Sequence, residues 1–228
     1  MKITFEIYYH TRWGESLFLS GNIDELGANE ENRAVMMDYQ GDGLWKYTME
    51  LPASAKKFHY EYLVKSGEGI RREWGSPHSF SPGRNDGEYR LVDRWRDVPA
   101  DMPFYSSAFI QGIFFRQHAD SVVETIEPGT LTVKVDASQL RPDERLVMVG
   151  DCPELGDWDV LKAPLLNDSA FPEWQITLDG KHLKFPFEYK FVIVRTHQRE
   201  VVAWETGENR ICREKPQNPS EAAVVSGL

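Results

Sequence analysis

Ile3, Phe5, Ile7 and Tyr9 alternate with polar residues at the start of the chain, and Leu131, Val133 and Val135 repeat the alternation far downstream. Successive side chains of a strand point to opposite faces, so this period of two predicts strands with one face in a core and the other in water. Further strand-like runs lie at 17–19, 45–51 and 58–64, and again at 146–149, 174–178 and 187–194. Gly41-Asp42-Gly43, Ser81-Pro82-Gly83 and Glu127-Pro128-Gly129 punctuate them with residues that tight turns favour. No segment sustains a helical stripe. The expected class is all-β, with short antiparallel strands packed as a sandwich.

The chain also repeats itself. Gly21-Asn22-Ile23-Asp24-Glu25-Leu26-Gly27 is echoed by Gly150-Asp151-Cys152-Pro153-Glu154-Leu155-Gly156, 150 − 21 = 129 positions later. Trp45 matches Trp174 at the same offset, Glu61-Tyr62 matches Glu188-Tyr189 at 127, and Trp74 matches Trp204 at 130. A period this long is too large for a solenoid and reads as a duplicated domain of about 90 residues. The expected organisation is one sandwich over 1–94, a connector over 95–128, a second sandwich over 129–216, and a tail or link over 217–228. The connector holds Trp95, Phe104, Tyr105, Phe109, Phe114 and Phe115, unlike a flexible Gly/Ser tether, so it is expected to pack against a domain.

Composition narrows the partners. The formal charge of −10 repels a phosphate backbone, so nucleic acid is not an expected partner. No apolar run approaches the roughly 20 residues that span a bilayer, and the first residues alternate with charge instead of forming a signal core; no membrane is expected, and the compartment is read as cytoplasmic. Cys152 and Cys212 are too few for a disulfide framework and read as free thiols. The six histidines show no metal-ligand spacing, no nucleophile motif accompanies them, and no glycine-rich phosphate loop occurs. Two small sandwiches offer no cleft that would set paired carboxylates about a glycosidic bond. Neither a cofactor nor catalysis by this chain alone is expected.

The compositional excess is aromatic: 12% of residues, with seven Trp. Asp157-Trp158-Asp159 sets a Trp between two acids after a glycine turn, and Trp204-Glu205-Thr206-Gly207-Glu208-Asn209-Arg210 places another before small and polar residues. Two exposed Trp faces suit a flat ligand with hydroxyls at its edge, as a sugar ring is, with Lys190 and Asn209 as polar partners. Trp45 and Trp174, inside strand runs, are assigned to the core, and Trp74 to a structural role.

Leu155-Gly156-Asp157-Trp158, Glu188-Tyr189-Lys190 and Trp204-Glu205 through Asn209-Arg210 resemble the signature of starch-binding domains, family 20 of the carbohydrate-binding modules. The resemblance implies immunoglobulin-like β-sandwiches that bind α-glucan at up to two sites. Carried onto this chain, site one is Trp158, Lys190, Trp204, Glu205 and Asn209. The first copy departs from it, with Asn29 for Trp158, Leu63 for Lys190, Gly75 for Glu205 and Ser79 near the place of Asn209. It has Trp13 and Tyr39 where the family sets its second aromatic site, whereas Pro142 stands at the corresponding place in the second copy. The copies therefore read as complementary. The tandem resembles the N-terminal part of 4-α-glucanotransferases of the plant disproportionating-enzyme type, in which a family 77 glycoside hydrolase barrel follows. That resemblance implies starch, glycogen or maltooligosaccharide as ligand and a C-terminal catalytic domain as partner. A reading of a different class is a protein-interaction scaffold anchored by Trp158 and Trp204.

Overall fold

The computed structural model describes residues 1–52, 55, 57–83, 87–97, 125–137 and 140–226. The first copy contains β1 (Lys2–Tyr8), β2 (Ser16–Gly21), β3 (Val35–Met36), β4 (Asp38–Gly41), β5 (Leu44–Glu50), β6 (Phe58–Ser66), β7 (Gly69–Arg72), β8 (His78–Phe80) and β9 (Glu88–Arg94). The second contains β10 (Thr130–Asp136), β11 (Glu144–Gly150), β12 (Asn167–Ala170), β13 (Glu173–Asp179), β14 (Phe187–Arg195), β15 (Val201–Trp204), β16 (Arg210–Cys212) and β17 (Glu221–Val225). The alternating residues of β1 and β10 point inward as their period requires: Ile3, Phe5 and Ile7 lie in one core, and Leu131, Val133 and Val135 in another.

The two sandwiches are fused through one sheet. Its strand order is β12-β13-β10-β17-β9-β1-β5-β4, with β9 and β17 adjacent and parallel at the centre. A smaller sheet, β3-β2-β6-β7 with β8, completes the first sandwich, and β11-β14-β15 with β16 completes the second. The two smaller sheets cover opposite faces of the long one, which the side chains of β17 make plain: Ala222 and Val224 enter the first core, Ala223 and Val225 the second. The stretch expected as a tail or link thus supplies a core strand, because all five residues of β17 are buried between β9 and β10. A strand covered on both faces cannot show polar alternation, and Ala-Ala-Val-Val does not. Of the connector, Trp95 packs at a tilt against Tyr9 with centroids 4.7 Å apart and Ile126 is buried in the first core; positions 98–124 lie outside the described residues.

Register corrects the alignment of the copies. Gly21 pairs with Tyr60, and Gly150 with Tyr189, so β6 and β14 correspond at an offset of 129 and not 127. A Cβ on either glycine would lie about 2.6 and 2.5 Å from the carbonyl oxygens of His59 and Glu188, which is why both strands end on glycine. Trp45 and Trp174 are core residues, each indole donating to a backbone carbonyl, Tyr9 at 3.0 Å and Ala137 at 3.1 Å.

Polar contacts also cross between the copies. Lys134 Nζ reaches Glu173 at 2.9 Å and the Ser79 carbonyl at 2.5 Å, and Arg96 bridges Glu73 and Asp136, each at 3.2 Å. Behind Arg96, His78 Nε2 lies 3.1 Å from Glu73, and the hydroxyls of Tyr60 and Tyr62 donate to Asp93 at 2.8 and 2.7 Å. Burial pulls the His78 pKa down, but the Asp93 and Glu73 carboxylates outweigh it and hold the value above the ordinary histidine range. A raised folded-state value stabilises fully below the unfolded value and fades as pH climbs through the folded one. His78→Gln should therefore lower the melting temperature more at about pH 6 than at about pH 9. Equal losses at both would remove His78 charge from the account.

Candidate functional site

The loop that follows β11 is built by backbone hydrogen bonds. After the single turn Pro153–Leu155, Gly156, Asp157 and Trp158 take φ values of 80°, 49° and 65°, and Trp158 N donates to the Gly150 carbonyl at 2.7 Å. Left-handed backbone is costly for a bulky residue, of order 1–3 kcal/mol, and a surface loop has no structural need for Trp there. The first copy shows this directly: Asn29, at φ 63°, has the same backbone and donates to the Gly21 carbonyl at 2.6 Å, with the side chain that tolerates this region best. The equivalence of Asn29 and Trp158 holds.

Trp158 packs over the outer valines of the second sandwich, Val147, Val149, Val160, Val192 and Val194. Trp204 closes the edge strand β15, is 44% exposed and is the register partner of Val192, so both indoles flank one valine-lined face. Lys190, opposite Val149, donates to the carbonyls of Glu205 at 3.1 Å and Gly207 at 2.6 Å, tying down the turn after Trp204. Glu205 accepts from Phe191 N at 3.2 Å and from Arg210 Nε at 2.7 Å, so its carboxylate braces the same turn. Asn209 is exposed and its amide nitrogen donates to Glu188 at 2.8 Å. The structure therefore brings Trp158, Lys190, Trp204 and Asn209 onto one face, with Glu205 in the turn opposite Phe191: two apolar platforms, one exposed amide, and a Lys–Glu pair that shapes the turn between them.

The first copy has replaced this face. Glu61, and not Leu63, stands where Lys190 stands; Arg72, and not Trp74, where Trp204 stands; Glu73, and not Gly75, where Glu205 stands. Glu73 accepts from Tyr62 N at 3.0 Å just as Glu205 accepts from Phe191 N. His78 lies where Arg210 does, so Pro77, two positions before the expected Ser79, takes the place of Asn209. Arg72 is bonded to the carboxylates of Glu61 and Glu31, filling with ion pairs the surface that in the second copy holds indoles. The β6–β7 hairpin is three residues shorter than β14–β15, since the offset rises from 129 to 132 across it, and that shift hid these matches. The shared five-residue interval Glu73–His78 and Glu205–Arg210 was the available signal.

Trp13 lies in the loop between β1 and β2 and is fully exposed, while Tyr39, 57% exposed, sits on β4 with its ring 5.1 Å from that of Trp45. Tyr9 N donates to the Gly43 carbonyl at 2.8 Å, which holds the base of the Trp13 loop beside the β4–β5 turn. Residues 137–143 of the second copy contain no aromatic. Cys152 and Cys212 are buried free thiols, their pKa values pushed up to about 11 by burial. Among the described residues no group of three His, Cys, Asp or Glu could hold a metal, and no helix is long and apolar enough to cross a membrane.

The loop geometry invites a test. Trp158→Asn gains the backbone preference of Asn29 and loses the half-buried indole packing, two opposing contributions of about 1 kcal/mol each. The melting temperature should hold within about 4 °C while affinity for maltoheptaose falls about tenfold or more. A large destabilisation with unchanged affinity would make Trp158 a packing residue.

Residues 1–84 and 130–223 both match one family model, described as starch binding domain. The 4-alpha-glucanotransferase DPE2 of Oryza sativa subsp. japonica is 25% identical over 226 residues, 91% of this chain and 23% of that protein. The AA13 family lytic polysaccharide monooxygenase A of Aspergillus terreus is 34% identical over 71 residues, 29% of this chain and 18% of that one. The chain thus spans less than a quarter of the length of these curated relatives. A solved family 20 module of the maltotetraose-forming amylase from Pseudomonas saccharophila STB07 is 19% identical with a TM-score of 0.35, covering 41% of this chain and 98% of that one. Two matched segments, on the two halves that share one sandwich topology and one Gly150-type loop, make this chain a tandem member of the starch-binding-domain family.

Proposed function

We propose that the tandem binds α-1,4-glucan without chemistry of its own, through Trp158, Trp204 and Asn209 in the second copy and Trp13 with Tyr39 in the first. The observation that carries this reading is Trp158, held half-buried over its valine face in a left-handed conformation that the first copy gives to Asn29. Lys190 and Glu205 act as positioning residues for the Trp204 turn. Calorimetry with maltoheptaose or β-cyclodextrin tests it: each aromatic face contributes on the order of 1–2 kcal/mol, so Trp204→Ala should weaken binding about tenfold or more. Unchanged affinity would reject the assignment.

The likeness to the rice 4-alpha-glucanotransferase across 91% of this chain supports a second step, that these modules form a segment of such an enzyme. In that setting they hold polymeric substrate near a catalytic domain elsewhere in the parent chain.

A further inference from the structure

Between the copies runs a cleft of about 510 Å³, floored by the ends of β1 and β9 and walled on one side by β16 and the residues after it. Its floor presents Tyr8, 58% exposed and the register partner of Arg94; Arg94 and Arg213 also line it and are exposed, while Tyr9 and Trp95, which border it, turn their rings to the first core. Nothing in the sandwich demands an aromatic at position 8. The second copy has Asp136 at the place of Tyr8 and Ala137 at that of Tyr9, as the pairing of Tyr8 with Leu44 and of Asp136 with Glu173 establishes.

Resting on the function proposed above, we infer that this cleft is a third glucan subsite, which joins the sites of the two copies into one track for a long α-glucan chain. A partly exposed phenol ring beside guanidinium groups offers what a sugar ring requires, an apolar face and donors for the hydroxyls at its edge. The cleft volume falls in the range of small-molecule sites. Position decides between a lone pocket and a track. Ile211 lines the cleft two residues beyond Asn209, about 7 Å along a strand, so β16 borders the cleft and carries the amide of the second-copy site at its start. At the other rim, Tyr9 donates to the carbonyl of Gly43 in the β4–β5 turn, whose N–H donates to the Tyr39 hydroxyl at 3.3 Å, and Trp13 follows Tyr9 by four residues. One extended ligand passing from the first site to the second meets Tyr8 on the way.

Calorimetry with maltotriose and with a long linear amylodextrin, on the whole chain, separates the cases. Tyr8→Ala should leave maltotriose affinity unchanged and weaken amylodextrin about tenfold, while Tyr8→Phe keeps the wild-type affinity for both. Equal amylodextrin affinity in wild type and Tyr8→Ala, both melting alike, overturns the subsite. Should Trp158→Ala bind maltotriose as the wild type does, the underlying site assignment fails instead, and the Tyr8 series still reports on the cleft by itself.

Discussion

On glycogen, Trp13→Ala is expected to weaken binding about a hundredfold, although the same change leaves maltoheptaose affinity of the second copy untouched. The reason is effective concentration. When one polymer reaches both sites, the second contact is intramolecular at an effective concentration that reaches millimolar, and avidity exceeds either single affinity by about 10²–10⁴. The spacing is held by the sheet that both copies share, since β9 and β17 are register partners over five residues. Loss of either site removes the whole gain, so Trp13→Ala and Trp204→Ala should each take most of it and the double variant should lose far less than the product of the two. On maltoheptaose, Trp204→Ala alone should matter. Small losses from Trp13→Ala, equal on glycogen and maltoheptaose, would show two sites working independently.

Truncation after Pro216 should abolish cooperative folding of the chain. The lost residues include Ala222 and Val224, buried in the first core beside Tyr89 and Leu91, and Ala223 and Val225, buried in the second. β9 would be left with an open edge in the middle of the molecule. Arg90, buried on the face turned to the second copy, would lose Glu221 at 3.1 Å from its Nε. Arg90 keeps Glu214 at 2.6 Å and the Lys215 carbonyl at 2.9 Å, so the lost burial of β17 in both cores carries most of the destabilisation. Val224→Asp should act through the same strand, by setting a carboxylate into the first core, and lower the melting temperature sharply. Circular dichroism melts read both; a truncated chain with the wild-type transition would mean β17 is dispensable. For the same reason either copy expressed alone lacks part of its own boundary.

Much of this protein was legible in its residues. Ile3-Phe5-Ile7 and Leu131-Val133-Val135 announce strands because one face of β1 and β10 is in a core while the other is more polar, and the Gly21 and Gly150 segments expose the duplication because one backbone path needs the same glycines twice. Trp204 stands out as a surface residue because small and polar side chains follow it, and it is 44% exposed, whereas Trp158, flanked by two acids, lies half-buried over the outer valines. Other features depend on partners far away in the chain. Whether a carboxylate such as Glu205 faces ligand or braces a turn depends on where Phe191 and Arg210 place their donors. A hairpin three residues shorter moved Arg72 and Glu73 into places that linear alignment gave to Trp74 and Gly75. Local pattern determined the strands, the two copies and the exposure of Trp204; the half-burial of Trp158, the joining of two sandwiches by β9 and β17, and the cleft it creates were decided only in three dimensions. Parallel pairing between residues more than a hundred positions apart leaves no local period, and strands buried on both faces show no alternation by which to read it.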